Sequence, residues 1–341
     1  MQPARLTLTL LAAALLPLPT QAQEVVLKVH HFLPPASLAQ TKFIAPWCDR
    51  IAAESQGRMK CQIYPSMQLG GTPPQLVNQV RDGVADIVWT LPGYTPGRFP
   101  LSEVFELPFF TTTYEASSRA LWDFMQTHAA GELAGMKPIA TWVNGPNVLH
   151  LRDKPVRTLD DLKGLKIRAP SRLGNKLLAA LGATPVGMPV PQMAESLSKG
   201  VIDGALVPWE VVPATKTHEL TRYHAEAAGA HPMTVATMIF VMSQKRYDSL
   251  PADLRKVIDD NSGRETSAWV STQFRDADAI GHQLAVANGN TIYPIAPEEL
   301  TKWEAATRPV SAEWIGEVKT RGADGQQVHD AAAALVRKYS Q

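Results

Sequence analysis

An arginine stands near the carboxyl end of a short predicted strand in the middle of the chain. A polar turn at residues 160–164 leads into an apolar strand at residues 165–169, which Pro170 ends because proline has no amide donor. Arg168 carries a planar, permanently charged guanidinium that holds a carboxylate through two parallel hydrogen bonds. In open α/β sheets, ligands bind at this end of the strands. These residues predict a carboxylate site, with a surface salt bridge as the plain alternative.

The sequence carries none of the usual catalytic or metal-binding motifs. It has no Gly-x-Ser-x-Gly elbow, no His-Glu-x-x-His pair, no phosphate loop and no dinucleotide fingerprint. The histidines, among them His30, His31 and His150, lack the ligand spacing of a zinc site. Acidic pairs, such as the one at residues 160 and 161, suit turns and helix ends. We expect no enzymatic activity, no cofactor and no metal.

The first 22 residues have the pattern of an export signal. Arg5 supplies the basic segment, residues 6–16 are apolar, and Thr20-Gln21-Ala22 is a small-residue cleavage site. Neither this run nor any later one reaches the roughly 18 uninterrupted apolar residues of a membrane helix. We predict cleavage after Ala22 and a periplasmic protein, with a retained membrane anchor as the alternative.

The charge balance of the chain argues against several classes of partner. Lysine and arginine number 33, and aspartate and glutamate 32, in 341 residues. This neutrality argues against nucleic acid or an anionic membrane surface as a partner. The length suits two domains, each large enough for a core of its own. We expect a monomer.

Cys48 and Cys61 are the two cysteines of the chain. Cys48 lies on the apolar stripe of a predicted helix, and Cys61 shares a strand face with Met59 and Ile63. Export places both thiols in an oxidising compartment where they could pair, although buried free cysteines are also common. Two cysteines without a neighbouring histidine do not suit a metal site.

Two α/β halves follow one another along the chain. The first half alternates strands and helices at residues 25–30, 38–55, 60–64, 76–82 and 85–90. The second half does so at residues 165–169, 172–181, 184–187, 191–199 and 202–206. This alternation is typical of a mostly parallel sheet with helices on both faces. The cleft between two such halves is the expected ligand site.

A long helix is predicted to brace both halves. No proline occurs between residues 262 and 288, and apolar residues such as Val270, Phe274 and Ile280 recur at helical spacing. About 27 residues make a helix of about 40 Å, which is longer than one domain core. The predicted division is a signal peptide at 1–22, domain I at 23–143 and about 229–261, domain II at 144–228 and about 289–310, the bracing helix at 262–288, and C-terminal helices at 311–341.

Several separate motifs of the chain resemble those of the periplasmic solute-binding proteins of TRAP transporters, the DctP type. The resemblance reaches from the signal to near the C-terminus. In chain order the motifs are Tyr64-Pro65-Ser66-Met67-Gln68-Leu69-Gly70, Val80-Arg81-Asp82-Gly83-Val84-Ala85-Asp86-Ile87, Glu106-Leu107-Pro108-Phe109-Phe110, Leu162-Lys163-Gly164-Leu165-Lys166-Ile167-Arg168-Ala169-Pro170, Gly200-Val201-Ile202-Asp203-Gly204 and the long helix from Ser262.

The resemblance implies both a fold and a function. The fold is α/β, of the two-domain periplasmic-binding-protein-like (type II) kind, with a long interdomain helix. The function is capture of a small organic acid between two closing domains and its delivery to the TRAP membrane permease. The resemblance further implies that Arg168 pairs with the ligand carboxylate and that Ser171 touches the same group.

Two places depart from the sialic-acid-binding branch of this family. Asn147 stands where that branch has a second arginine, with His150 nearby. Val207 replaces a polar ligand contact, and Trp209 adds a large ring. Burying a ligand hydroxyl against apolar walls costs roughly 1–3 kcal/mol, which disfavours sugar acids. These residues favour a monocarboxylate with an apolar or aromatic tail, or a 2-oxo or 2-hydroxy acid. Core packing or an interdomain contact explains Trp209 equally well.

Further ligand contacts are predicted on the opposing wall of the cleft. Thr90, Pro92 and Tyr94 follow the end of a predicted strand, Phe32 follows the first strand, and His231 lies where the chain returns to domain I. Loop packing is the alternative for each of them.

Three alternative functions stay open at this point. The first keeps the class and takes a C4-dicarboxylate or a short 2-oxo acid as ligand. The second is a receptor for an ATP-driven or tripartite tricarboxylate importer, against which the long helix argues. The third, from another class, is a secreted hydrolase, against which the missing catalytic motifs argue.

Overall fold

A computed structural model describes residues 24–227, 229 and 231–341. The predicted export signal at residues 1–22 lies outside the described residues. Within the described ranges, no helix is both long enough and apolar enough to cross a membrane.

Eleven strands in the described residues form two mixed sheets. In chain order the strands are β1 (Val25–His30), β2 (Met59–Tyr64), β3 (Ile87–Thr90), β4 (Met136–Val143), β5 (Val148–Leu151), β6 (Lys166–Ala169), β7 (Thr184–Gly187), β8 (Gly204–Val207), β9 (Tyr223–Glu226), β10 (Thr237–Ser243) and β11 (Thr291–Pro294). The five-stranded sheet has the order β2-β1-β3-β10-β4, and the six-stranded sheet has the order β11-β9-β5-β8-β6-β7. We call the two sheets with their helices the first lobe and the second lobe.

The expectation of mostly parallel sheets is wrong at the places where the chain changes lobe. β1, β2 and β3 are parallel, but β10 runs antiparallel between β3 and β4. In the second sheet β5 runs antiparallel to both β8 and β9. β5 and β9 were not predicted from the sequence, because each has only four residues and carries a histidine, His150 or His224, that interrupts the apolar pattern.

Thirteen α-helices in the described residues cover the sheets. They are α1 (Ala45–Glu54), α2 (Leu76–Asp82), α3 (Tyr114–Thr127), α4 (Leu159–Leu162), α5 (Arg172–Ala180), α6 (Met193–Ser198), α7 (Val212–Thr215), α8 (Thr217–Leu220), α9 (Gln244–Asp248), α10 (Ala252–Asp260), α11 (Arg264–Ala287), α12 (Pro297–Thr320) and α13 (Gly325–Tyr339). A π-helical segment, Ala39–Ile44, leads directly into α1, so the helix expected at residues 38–55 begins with this segment.

Helix α11 is the long helix expected from the sequence, and it contacts both lobes. It packs against α3 and β4 of the first lobe and against the turn Trp209–Val211 and β11 of the second. A Cβ atom on Gly281 would lie only 2.0 Å from the carbonyl oxygen of Trp209, so glycine allows this close approach. Ile280, expected in the apolar stripe, is exposed instead.

The C-terminal part of the chain divides differently from the expected limits. Helix α12 runs without interruption across the expected boundary at residue 310 and holds Pro309 in its interior. Helix α13 then packs against α3 of the first lobe. Near the other end of the chain, Cys48 on α1 and Cys61 on β2 form a disulfide.

Candidate functional site

A cavity lies between the two lobes at the carboxyl ends of several strands. The space between its walls amounts to about 610 Å³, open solvent at its mouth included. Its wall contains Phe32, Leu33, Ser37, Leu38, Ala39, Trp89, Leu91, Tyr94, Asn144, Asn147, Arg168, Pro170, Val190, Val207, Pro208, Glu210, Val211, Ala214, Met238, Gln273 and Phe274.

Aromatic rings form the apolar side of the cavity. Phe32 stacks on Trp89 with 4.6 Å between the ring centroids, and it meets Tyr94 edge-on at 5.5 Å. Trp89 also meets Phe274 of α11 edge-on at 6.3 Å. Phe32 follows β1 and Trp89 belongs to the neighbouring parallel strand β3, so the sheet brings the two rings together. Such a wall suits an aromatic or apolar ligand body.

Arg168 is the cation of the site, and it lies on β6 between β7 and β8. Its side chain is buried, with Nε donating to the Met188 carbonyl at 2.9 Å and Nη1 donating to the Leu206 carbonyl at 3.0 Å. Nη2 has no partner among the described residues. Burial lowers the pKa of the Arg168 guanidinium, yet arginine keeps its charge in proteins.

The environment of Arg168 makes the cavity suited to an anion. None of the ion pairs among the described residues includes Arg168, so its buried charge has no protein carboxylate as partner. A buried unpaired charge is costly, and a ligand carboxylate would relieve that cost with two parallel hydrogen bonds. The alternative of an exposed salt bridge is wrong, because Arg168 is only 1% exposed.

Asn147 provides a second polar contact beside the cavity. Its backbone N–H donates to the Thr234 carbonyl at 3.0 Å, which fixes the segment between β4 and β5. The side chain is buried, and both its Nδ2 and Oδ1 atoms lack partners in the described part of the chain. Nearby, the Asn144 Oδ1 atom accepts a hydrogen bond from the Ala236 N–H at 2.7 Å. The free amide of Asn147 can therefore donate to a ligand.

The structure brings five of the eleven predicted contacts into one wall: Phe32, Tyr94, Asn147, Arg168 and Val207. Val207 ends β8 opposite Val148 and adds an apolar surface beside Arg168. Three of the other six lie close by but outside this wall. Thr90 is buried in β3, Pro92 begins the turn Pro92–Tyr94, and the Ser171 hydroxyl caps α5 by accepting from the Gly174 N–H at 3.2 Å.

The last three predicted contacts have other partners. His150 and His224 are hydrogen-bonded through their Nδ1 atoms at 2.7 Å inside the second sheet. The Trp209 indole packs edge-on against His150 with 4.9 Å between centroids, and its Nε1 donates to Glu226 at 2.8 Å. His231 bonds the Thr111 carbonyl at 2.8 Å. Of the two explanations for Trp209, packing is the one that the structure favours.

The sequence analysis missed several residues of the wall, above all Glu210. This side chain is buried, and neither carboxyl oxygen has a partner among the residues described. Burial, with the neighbouring Asp278 carboxylate as a smaller cause, raises the pKa of Glu210 well above its ordinary value. A lone acidic residue between Trp209 and Val211 in an otherwise apolar run was the available signal. Trp89 and Phe274 carried no comparable signal.

Metal binding has no support in the part of the chain that the structure describes. There, no group of three or more histidine, cysteine, aspartate or glutamate side chains is arranged to hold a metal ion. The cavity combines one buried cationic side chain with aromatic walls, an arrangement that suits an anionic aromatic ligand.

The comparisons with known proteins agree with this geometry. The family described as bacterial extracellular solute-binding protein, family 7 (DctP), matches residues 29–317. The chain belongs to this family. Family 7 proteins are receptors rather than enzymes, so this solute-binding protein is a receptor of the TRAP type. The resemblance seen in the sequence and the expected two-domain α/β fold are both confirmed.

Two solved structures are particularly similar to this solute-binding protein. A TRAP solute-binding protein from Rhodoferax ferrireducens, in complex with copurified benzoate, is 48% identical with a TM-score of 0.91, and the match covers 93% of this chain and 98% of that one. A marine metagenome TRAP solute-binding protein specific for aromatic acid ligands, with 3-hydroxybenzoate, is 44% identical with a TM-score of 0.92, covering 94% and 100%.

A relative known from its sequence matches over nearly the whole length. The outer membrane transporter protein TsaT of Comamonas testosteroni is 28% identical over 327 residues, which cover 95% of each chain.

Proposed function

We propose that this TRAP solute-binding receptor captures an aromatic monocarboxylate between its two lobes. The observation that carries the proposal is the buried Arg168 guanidinium, whose Nη2 has no partner among the described residues and which lines a cavity walled by aromatic rings. The ligand carboxylate pairs with Arg168, and its ring packs against Phe32 and Trp89. The aromatic acids bound by the two similar solved structures support this assignment.

Asn147 completes the carboxylate site in this proposal. Its amide lines the same cavity as Arg168, and both of its polar atoms lack partners in the described chain. The Nδ2 atom donates to a carboxylate oxygen that Arg168 leaves free. An asparagine contributes this hydrogen bond without adding a second positive charge, so one negative charge on the ligand suffices.

The charges around the cavity disfavour the C4-dicarboxylate alternative. Arg168 is the cation in the wall, whereas the further ionisable side chain there, Glu210, is acidic. A second carboxylate would lack a cationic partner in this wall, and leaving a charge unpaired in a desolvated site is costly.

Binding closes the receptor and presents the acid to the TRAP membrane permease. Ligand contacts to both lobes stabilise the closed state and shift a hinge equilibrium. We propose that the protein is exported by the signal at residues 1–22, is cleaved after Ala22 and works as a monomer in the periplasm. We further propose that the two domains correspond to the two lobes, with α11 joining them.

Substitution of Arg168 tests the proposal by calorimetric titration with benzoate. Arg168→Ala should abolish measurable binding, because no other cation lines the described cavity. Arg168→Lys should weaken binding at least about tenfold, since an ammonium cannot reproduce the two-pronged geometry. Arg308→Ala, on the exposed face of α12, is the matched control and should bind benzoate like the parent.

Two results would contradict the proposal. The first is either Arg168 variant binding benzoate with the affinity of the unmodified protein. The second is an unmodified receptor that binds succinate more tightly than benzoate, which would restore the dicarboxylate alternative.

A further inference from the structure

The cavity wall contains a buried acidic side chain, Glu210, that the capture of a carboxylate by Arg168 does not use. Glu210 is 5% exposed, and both carboxyl oxygens lack a hydrogen-bond partner anywhere in residues 24–227, 229 and 231–341. Leaving a buried polar group without a partner is costly, so such a group calls for a functional explanation. A ligand that occupies the cavity can supply the missing partner.

The position of Glu210 is set by the long helix. Its backbone N–H donates to Asp278 Oδ1 of α11 at 2.9 Å, and the other oxygen of Asp278 accepts from the Tyr114 hydroxyl. Asp278 therefore joins the first lobe, α11 and the second lobe at this point. Because the backbone of Glu210 is held, its side chain is presented to the cavity without support from a side-chain bond.

Glu210 and Arg168 occupy separate parts of the wall. They are not an ion pair among the described residues, so their charged atoms do not come within 4.0 Å of each other. The Tyr94 hydroxyl is affected by both: burial raises the pKa of Tyr94, Arg168 acts to lower it, and Glu210 acts to raise it. Both residues line the same cavity, so a ligand held by its carboxylate at Arg168 can present another part of its body to Glu210.

The protonation of Glu210 decides what it can bind. Burial and Asp278 both raise the pKa of Glu210, which favours the neutral carboxyl. A neutral carboxyl donates one hydrogen bond and accepts others, so it does not repel an anionic ligand and can pair with a hydroxyl group. The rings of Phe32 and Phe274 elsewhere in the wall offer no such partner.

We propose that Glu210 is a specificity-determining residue that hydrogen-bonds a hydroxyl substituent on the ring of an aromatic acid whose carboxylate is held by Arg168. The inference rests on the proposed function and narrows the ligand class to hydroxylated aromatic acids. The site favours these acids over analogues without the hydroxyl, because such an analogue leaves the buried carboxyl unpaired.

Paired ligands that differ only in this group test the inference. The probes are 3- and 4-hydroxybenzoate, each compared by calorimetry with the methylbenzoate of the same substitution. The unmodified receptor should prefer the hydroxyl compound of at least one pair by about tenfold. Glu210→Gln should keep the preference, because an amide also donates and accepts. Glu210→Leu should lose it or prefer the methyl compound.

Controls separate this inference from the proposed function. Glu195→Leu, an exposed change on α6, should leave the preference intact. The inference is overturned if Glu210→Leu keeps the parental preference while benzoate still binds through Arg168, and the proposed function then stands. If Glu210→Leu does not fold, the affinities of the unmodified protein test the inference by themselves. Equal affinities for the hydroxyl and methyl compounds of both pairs also overturn it. Failure of every acid to bind would instead overturn the proposed function.

Discussion

The Tyr94 hydroxyl of the first lobe accepts a hydrogen bond from the Val190 N–H of the second lobe, with 3.1 Å between oxygen and nitrogen. Both residues line the cavity, and the Tyr94 hydroxyl also lies near the Arg168 guanidinium. One phenol therefore joins the two lobes at the place where a ligand carboxylate would bind. A hydrogen bond between the lobes exists only when the lobes are together, so it stabilises the closed state.

Tyr94→Phe should weaken benzoate binding by about tenfold, because the closed state would leave the Val190 N–H unpaired. The unfolding temperature of the ligand-free protein should change little. Calorimetric titration measures the benzoate affinity, and thermal unfolding measures the unfolding temperature. Tyr64→Phe, at the end of β2, is a control that should keep full affinity. An unchanged affinity for Tyr94→Phe would show that this bond does not contribute to closure.

Gly93→Ala should hinder closure without touching the ligand. A Cβ atom on Gly93 would lie 2.6 Å from the Ser171 Cβ across the lobe interface, which is too close for two carbon atoms. The backbone of Gly93 is not left-handed, so alanine is tolerated when the lobes separate. We expect benzoate affinity to fall at least about tenfold.

The control for this change is Gly131→Ala. No heavy atom lies within 4 Å of a Cβ atom built at Gly131, and its φ is not positive. The control should match the parent in both affinity and unfolding temperature. If Gly93→Ala binds benzoate as tightly as Gly131→Ala does, close contact between Gly93 and Ser171 is not needed for binding.

Trp209→Phe should affect stability rather than binding. The change removes the hydrogen bond from Nε1 to Glu226 and the packing against His150, at a cost of roughly 1–3 kcal/mol in the free energy of unfolding. Benzoate affinity should stay within about threefold, a difference of less than 1 kcal/mol.

Trp89→Phe is the matched change inside the cavity, and it should show the reverse pattern. Its Nε1 has no partner in the described chain, so less stability is lost, while the ring that faces the ligand becomes smaller. For both variants, denaturant titration measures the free energy of unfolding and calorimetry measures the benzoate affinity. A strong loss of affinity in Trp209→Phe would contradict the placement of Trp209 outside the cavity.

His150 and His224 form a pair that is stable only when neutral. His150 Nε2 donates to the Val207 carbonyl at 3.1 Å, and His224 Nε2 accepts from Asn290 at 2.9 Å, so the proton between the two Nδ1 atoms belongs to His224. Burial, with smaller effects of His282 and His218, lowers the pKa of His224 to about 4. Burial and His224 lower the pKa of His150 well below its ordinary value.

Acid should therefore destabilise the folded protein through this pair. Unfolded histidine titrates near pH 6.5, so the stability contributed by neutral His224 is complete above that pH and is lost as the pH falls towards 4. The loss amounts to roughly 3 kcal/mol. The measurement compares denaturant unfolding of the unmodified protein and His224→Gln between pH 7.5 and 4.5.

The difference between these two proteins isolates the histidine. Buried acids such as Asp278, whose pKa burial raises to about 6, change stability in the opposite sense, but they do so in both proteins and cancel. The advantage of the unmodified protein over His224→Gln should shrink on acidification. A constant difference across the pH range would contradict the neutral pair.

Local patterns in the sequence were sufficient for the class of protein and for its central residue. Alternating strands and helices, the proline that ends β6 and the long stretch without proline depend on neighbours along the chain, and they predicted the main elements. Arg168 could be chosen from its position at the end of a strand, because ligands bind there in open α/β sheets. Tyr94 and Phe32 follow from the same rule, whereas Asn147 was predicted from the comparison with the sialic-acid-binding branch of the family.

Contacts between distant segments decided the rest of the site. The segment from Val207 to Val211 is apolar except for Glu210, and no local pattern tells which of Trp209 and Glu210 faces the cavity. The glycine at position 281 lets the backbone of Trp209 approach α11, and Asp278 of the same helix holds the Glu210 N–H. The indole then packs on His150, and the carboxyl lines the cavity. Which side chain faces a cleft depends on the helix packed behind it, and that partner lies about 70 residues away in the chain.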